Sequence, residues 1–177
     1  ARAGVTSRPI DGEAAGHHLT SIEQLAERME RAPTIADAAA ELEEDFALFD
    51  DWRDKIEHLI DLGKNLPPLD DALKTEANKV RGCQSQVWMV ARSDPATGRM
   101  RLRADSDAIL VKGLIALLLR LYDDRTPADI LANPPHVLER IGLGKMLTPG
   151  RSNGLYSMVA RIRRLAEELS PERVPAE

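Results

Sequence analysis

The sequence predicts an α+β fold, a small three-stranded antiparallel sheet packed with helices. Three observations lead there. Apolar residues recur at helical spacing before Gly63 and again after Ser106. Between them the period drops to two, with Met100 and Leu102 alternating with Arg99, Arg101 and Arg103. Helices, then strands, then helices is the order of an α+β domain, not the alternation of a parallel α/β sheet.

The elements follow in order. Thr20 to Glu23 has the form of a capping box, and Leu19, Ile22, Leu25, Ala26 and Met29 make a helical stripe. Short helices are weak alone, so residues 1–31 read as an N-terminal extension, partly disordered or helical. Pro33 ends it and Thr34 caps the next helix, with Ile35, Ala38, Ala39, Leu42, Phe46 and Phe49 as its stripe. Asp50 or Asp51 caps a third helix, whose inner face is Trp52, Ile56, Leu59 and Ile60. Gly63 and "NLPPL" stop it. Leu66 to Lys74 is an ordered, proline-rich loop.

The turn signal "SDPATGR" joins two strands, Gln86 to Arg92 and Arg99 to Ala104, into a hairpin. Asn78 to Arg81 supplies a third short strand. Ser106 or Asp107 caps "AILVKGLIALLLRLY", a helix apolar nearly all round and therefore central. Gly113 within it points to a close approach of another backbone. "RTPADIL" and "PPHVLERIGL" are short helices, the latter ended by Gly142 or Gly144. Ser152 or Asn153 caps a last helix with Leu155, Met158, Val159, Ile162, Leu165 and Leu169 on one face. Arg161, Arg163 and Arg164 fall on its other, solvated face. The domain runs over 32–170, and 171–177 is a frayed tail.

The 177 residues suit one domain with an extension. A net charge of −5 offers nothing in bulk to a phosphate backbone, so no nucleic-acid partner is expected. The most apolar run, Ala108 to Leu121, is interrupted by Lys112 and Arg120, and no membrane span is expected. The first eighteen residues lack the apolar centre of a secretory signal. The single cysteine, Cys83, excludes an internal disulfide framework and a multi-thiolate metal site. A lone thiol also fits a reducing compartment, hence a cytoplasmic protein.

Free cysteine is usually only packing. Here its neighbours are Gly82, Gln84, Ser85 and Gln86, a turn-permitting residue and three neutral hydrogen-bonding ones, between two predicted strands. Lys79 and Arg81 would lower the thiol pKa if they faced it. A tyrosine-phosphatase loop needs an arginine where Met89 stands. A papain-type nucleophile needs a histidine base, and nothing local ties His58 or His136 to Cys83. Transfer on sulfur stays open, because a thiolate attacks a sulfane sulfur as it attacks a disulfide.

"RGCQSQVW", "DSDAILVKGLIALL" and "LTPGRSNGL", with "DWRDKIEHLIDLGKNLPPL" before them, resemble the SufE family of sulfur acceptors in iron–sulfur cluster assembly. The resemblance covers about Phe46 to Leu169. It implies a fold similar to the IscU scaffold, and Cys83 as persulfide acceptor. The implied donor is a SufS-type, pyridoxal-phosphate-dependent cysteine desulfurase, which this chain would stimulate; the implied receiver is a SufBCD-type scaffold complex. The pyridoxal phosphate belongs to the partner, so this chain binds no cofactor or metal and has no independent catalysis. The family's loop tucks its thiol into an apolar hollow at rest. Gly82, Gln84, Ser85 and Gln86 match the acceptor loop and support its shape. Asp105 and Asp107 match the family's "DSDA" element, with a helix cap as the first reading of Asp107 and a docking role as the second. Arg151 matches an arginine that serves the thiolate or the partner, although an ion pair explains it nearly as well. A CsdE-type acceptor shares these motifs, a self-sufficient cysteine hydrolase is the more distant alternative, and a homodimer stays compatible.

Overall fold

The computed structural model describes residues 33–171, and the compact unit treated below begins at Thr34. The helix and capping box expected before Pro33, and the tail beyond Pro171, lie outside the described residues.

Helix α1 (Ile35–Ala47) starts at a capping box. Thr34 Oγ1 accepts the Asp37 N–H at 3.1 Å, and Asp37 Oδ2 accepts the Thr34 N–H at 2.9 Å. Ile35, Ala38, Leu42 and Phe46 are its buried face, and Phe49 lies past its end, half-buried. In α2 (Trp52–Lys64) the cap is Asp51, whose Oδ1 accepts the Arg53 N–H at 2.8 Å. Leu59 and Gly63 are buried, and Ile56 and Ile60 half-buried. Trp52 departs from the expected inner face: it is 55% exposed in the first turn, with the Arg53 guanidinium 5.1 Å from its ring.

The chain continues through a proline loop and two 3-10 turns, Asp71–Leu73 and Glu76–Asn78, into β1 (Val87–Ser93) and β2 (Met100–Ser106). These pair antiparallel, from Val87 opposite Ser106 to Ser93 opposite Met100. Among the described residues the sheet has two strands, not three. The expected strand at Asn78 to Arg81 shrinks to one bridge, Lys79 to Trp88. The 3-10 turn ends just before it, and Gly82, at φ 88°, turns the chain away just after it. No length is left for a ladder.

Helix α3 (Ile109–Tyr122) runs through the centre, burying Leu114, Ile115, Leu117 and Leu118 completely. Its N-cap is Ala108, with no side-chain cap, so neither Ser106 nor Asp107 caps it as expected. Both side chains bond Gln86, and Ser106 Oγ also accepts the Ala108 N–H at 3.2 Å. Ser106 Oγ donates to Gln86 O at 2.7 Å, and Asp107 Oδ1 accepts the Gln86 N–H at 3.0 Å. The close approach expected at Gly113 is present: a Cβ there would overlap the Leu59 carbonyl, and one on Gly63 would stand 2.5 Å from the Gly113 nitrogen. Glycine on both helices lets α2 and α3 touch backbone to backbone.

Three short helices follow, α4 (Pro127–Ala132), α5 (Val137–Arg140) and α6 (Leu143–Met146). Gly142, at φ 85°, makes the break between the last two. Helix α7 (Pro149–Leu169) closes the unit and buries Leu155, Met158, Val159, Ile162 and Leu165. It begins earlier than expected. Thr148 is its N-cap and Pro149 its first residue, so Ser152 and Asn153 lie inside it. Its basic face is only partly solvated: Arg163 Nη1 donates to Leu131 O at 3.2 Å, tying α7 to the end of α4. Among the described residues no helix is long and apolar enough to cross a membrane.

Candidate functional site

The loop that carries Cys83 is pinned at both ends. At its start, the Val80 N–H donates to Val87 O at 2.8 Å, which closes the loop onto β1. At its finish, Gln86 is held three times. Its N–H donates to Asp107 Oδ1, and its carbonyl accepts from Ser106 Oγ and from the Asp107 N–H at 3.3 Å. Between these anchors the tip lies along α7. A Cβ on Gly82 would stand 2.6 Å from Ser157 Oγ. The Cys83 Sγ is 3.6 Å from where Gly154 would carry a Cβ, and a Cβ on Gly150 would overlap the Gln84 amide. Successive loop residues thus descend one face of the helix, at 157, 154 and 150, the spacing at which helix positions share a face.

The thiol is half-buried and donates a long hydrogen bond to Gly154 O, at 3.6 Å. It borders a small hollow of about 90 Å³, whose apolar wall is Val111, Leu114 and Met158. Gln84, Ser85, Gly150, Gly154 and Arg151 complete the lining. Burial pushes the thiol pKa above its ordinary value. The two cations that would oppose this if they faced the sulfur do not line its hollow. Lys79 Nζ pairs with Glu76 Oε1 at 3.0 Å, and Arg81, well exposed, lies 3.9 Å from Glu76 Oε2. At rest the site therefore holds a protonated thiol, shielded and weakly nucleophilic. The same group in water would ionise more readily.

Of the residues singled out in the sequence, Cys83, Gln84, Ser85 and Arg151 line one hollow. Arg151 is exposed at its rim, on the first turn of α7, and makes no ion pair among the described residues. Gly82 sits beside them on Ser157. Gln86 and Asp107 form the downstream anchor, with the Gln86 side chain itself exposed. Asp105 belongs to a different, buried network. Its carboxylate accepts the Ser106 N–H at 2.8 Å and the Leu69 N–H at 3.4 Å, with Lys74 at 3.4 Å and Lys112 at 3.7 Å. Burial alone would raise its pKa; the two N–H groups, then Lys112 and Lys74, outweigh it and hold the carboxyl below its usual range.

Neither histidine lines the thiol's hollow. His58 packs its ring against Phe46 and Phe49, with centroids 5.1 and 5.0 Å away. His136 is exposed at the start of α5. Among the described residues no three His, Cys, Asp or Glu side chains cluster closely enough to hold a metal ion.

Sequence reasoning missed the helix side of the site: Gly150, Gly154 and Ser157, and the wall of Val111, Leu114 and Met158. A signal for the first three was present. "PGRSNGLYS" places small residues at 150, 154 and 157, one face of the helix it opens. The wall residues carry no mark that distinguishes them from other core positions.

Comparison with known proteins gives three findings. The model of the family described as "SufE: Fe-S metabolism associated domain" matches residues 40–166. An uncharacterized SufE-like protein of Rhizobium etli is 43% identical over 127 residues, covering 70% of this chain and 86% of that protein. The solution structure of a hypothetical protein from Thermus thermophilus superposes with a TM-score of 0.63 at 22% identity, over 75% of this chain and 95% of that one. The last shows a shared fold.

Proposed function

The chain belongs to the SufE family, and we propose that it is a sulfur carrier whose acceptor is Cys83. The observation that supports this most is the half-buried thiol on a loop tip that turns at Gly82, resting on α7 beside an apolar hollow. A carrier has two needs that conflict: a thiol that reacts with one donor, and a persulfide that survives small thiols and oxidants. A tip that can leave the hollow meets both.

The proposed reaction is a displacement on sulfur. Released from the hollow, Cys83 gives up its proton to solvent. The thiolate attacks the outer sulfur of a persulfide on a SufS-type cysteine desulfurase. A bond forms between Cys83 Sγ and that sulfur, the donor's S–S bond breaks, and the donor's thiolate leaves. No external oxidant or reductant is consumed. Removing the sulfur frees the desulfurase for another cycle, which is the proposed basis of stimulation. Pyridoxal phosphate belongs to that partner. The receiver is a SufBCD-type scaffold, and a CsdE-type pairing would use the same chemistry on another desulfurase. Gly82 and Gln84 set the resting pose, and Arg151, at the hollow's rim, is placed for an anionic sulfur or for the partner. A self-sufficient hydrolase is disfavoured, because among the described residues no histidine lines the thiol's hollow.

The test is mass spectrometry of the full chain after incubation with a cysteine desulfurase and cysteine. Cys83 should gain one sulfur atom, and desulfurase turnover should rise. Cys83→Ser should gain none and leave turnover at its basal level. Absence of the adduct on the native chain, with a desulfurase that is itself persulfidated, would sink the reading.

A further inference from the structure

A second cavity lies away from the thiol's lining. It is a cleft of about 430 Å³ between the free edge of β2, the end of α2 with its proline loop, and α3. That volume falls within the range of small-molecule sites. Leu62, Leu66, Leu102 and Leu119 give it apolar walls, and Arg101, Arg103 and Arg120 line it as cations. Asp123 is the only carboxylate in the lining among the described residues, and both its oxygens are engaged. Oδ1 accepts the Leu102 N–H at 2.8 Å, and Oδ2 pairs with Arg101 at 3.3 Å. Arg120 pairs outward with Asp45, at 2.9 Å, and Glu41. Arg103 has no carboxylate among the described residues. Its Nη2 donates to the Pro68 carbonyl at 3.0 Å, which holds the guanidinium beside the proline loop. Of the three arginines in the lining, Arg103 is thus the one left without a carboxylate among the described residues, since Arg101 also lies 3.9 Å from Asp124.

The edge of β2 adds a directional donor. The Met100 N–H turns away from β1 to donate to Arg125 O, and the Leu102 N–H does the same toward Asp123. By the alternation of an antiparallel ladder, the Ala104 N–H faces the same edge. Ala104 is 2% exposed, and this N–H makes no hydrogen bond among the described residues. A buried, unpaired N–H calls for an acceptor.

We propose that this cleft binds a small amphipathic carboxylate, its aliphatic body against the leucines and its carboxylate taken by Arg103 and the Ala104 N–H. Apolar walls alone would accept a neutral chain equally well. The Arg103 guanidinium, free of a carboxylate, and the orphan donor select the anion.

The test uses ¹⁵N-labelled full-length chain titrated with decanoate, 1-decanol and decylamine. Decanoate should give saturable shifts centred on the amides of Leu62, Leu66, Leu102 and Ala104. The alcohol should bind about tenfold more weakly, the worth of one charge-assisted hydrogen bond, and the amine most weakly. Arg103→Gln should weaken decanoate by about the same factor and leave the alcohol unchanged. Ala116→Leu, which narrows the cleft, should weaken both while the spectrum stays dispersed. Shifts that scatter or fail to saturate, equal affinity for the three probes, or an unchanged decanoate affinity in Arg103→Gln would each overturn the proposal.

Discussion

Replacing Gly82 by alanine should release the resting thiol without unfolding the domain. Two costs fall on the docked loop. Gly82 holds φ 88°, where a residue with a Cβ is destabilised by about 1–2 kcal/mol. The new Cβ would also stand 2.6 Å from Ser157 Oγ, which must rotate away. Little opposes the release, since the Cys83 Sγ hydrogen bond to Gly154 O is long, at 3.6 Å. A combined cost of about 2 kcal/mol raises the undocked fraction about thirtyfold, at roughly 1.4 kcal/mol per decade. The assay is the rate of Cys83 alkylation by iodoacetamide, with urea unfolding measured in parallel. The pH profile gives a second readout. Burial raises the thiol pKa, so the docked, protonated form contributes stability at low pH and loses it as pH rises through the raised folded value. The variant's alkylation profile should therefore shift to lower pH, toward the ordinary thiol. Adding Ser157→Ala removes the hydroxyl contact but not the backbone strain, so the double variant should keep most of the increase. An alkylation rate and pH profile equal to those of the native chain would refute the reasoning.

Three further outcomes follow from the same geometry. Asp105→Asn should cost about 2 kcal/mol at neutral pH by urea denaturation, the scale of hydrogen bonds to a charged group. Because the folded carboxyl titrates below its usual range, its stabilisation is present above that range and is lost as pH falls through the folded value; the gap between native and variant should close on the acid side. Gly113→Ala should lower stability by about 1–2 kcal/mol, the overpacking cost against the Leu59 carbonyl exceeding the roughly 1 kcal/mol gained in helix propensity; a variant more stable than the native chain would contradict the backbone contact. Asp107→Ala should speed exchange of the Gln86 amide about fivefold, the loss of roughly 1 kcal/mol from its anchor, with the Leu114 amide as an unchanged control.

What the sequence discloses depends on how local the cause is. The Thr34 cap, the cap at Asp51 (one of the two aspartates the pattern offers) and the hairpin at "SDPATGR" are set by residues a few positions apart, and each lies where the pattern places it. Gly113 is legible for a different reason. A glycine in an otherwise strong helix has a local cost that only a tertiary contact repays. The failures have tertiary causes. Trp52 shares a stripe with Ile56, but a stripe does not say where its helix outruns its neighbour. Ser106 and Asp107 look like helix caps because their oxygens can cap; they serve Gln86, twenty residues back, because the hairpin brings it alongside. Pro149 is readable as a first helical residue, and the more conspicuous Ser152 and Asn153 hide it. At the candidate site, the lone thiol and its loop stand out in sequence by chemistry. The helix surface under the loop does not, since small residues at Gly150, Gly154 and Ser157 matter only once something lies across them.

The Val80 to Val87 hydrogen bond closes the Cys83 loop at its base. Its consequence is kinetic. The tip can swing out without breaking a rung of the β1–β2 ladder, so it moves as a short loop and not as a local unfolding. Loops of this size close in about 10–100 ns, whereas the residence times of protein complexes run from about a millisecond upward. Once undocked, the tip can sample the partner and return to its hollow well within the life of one complex. In the proposed sulfur transfer the loop then acts through the fraction of time it spends undocked, not through the speed at which it closes.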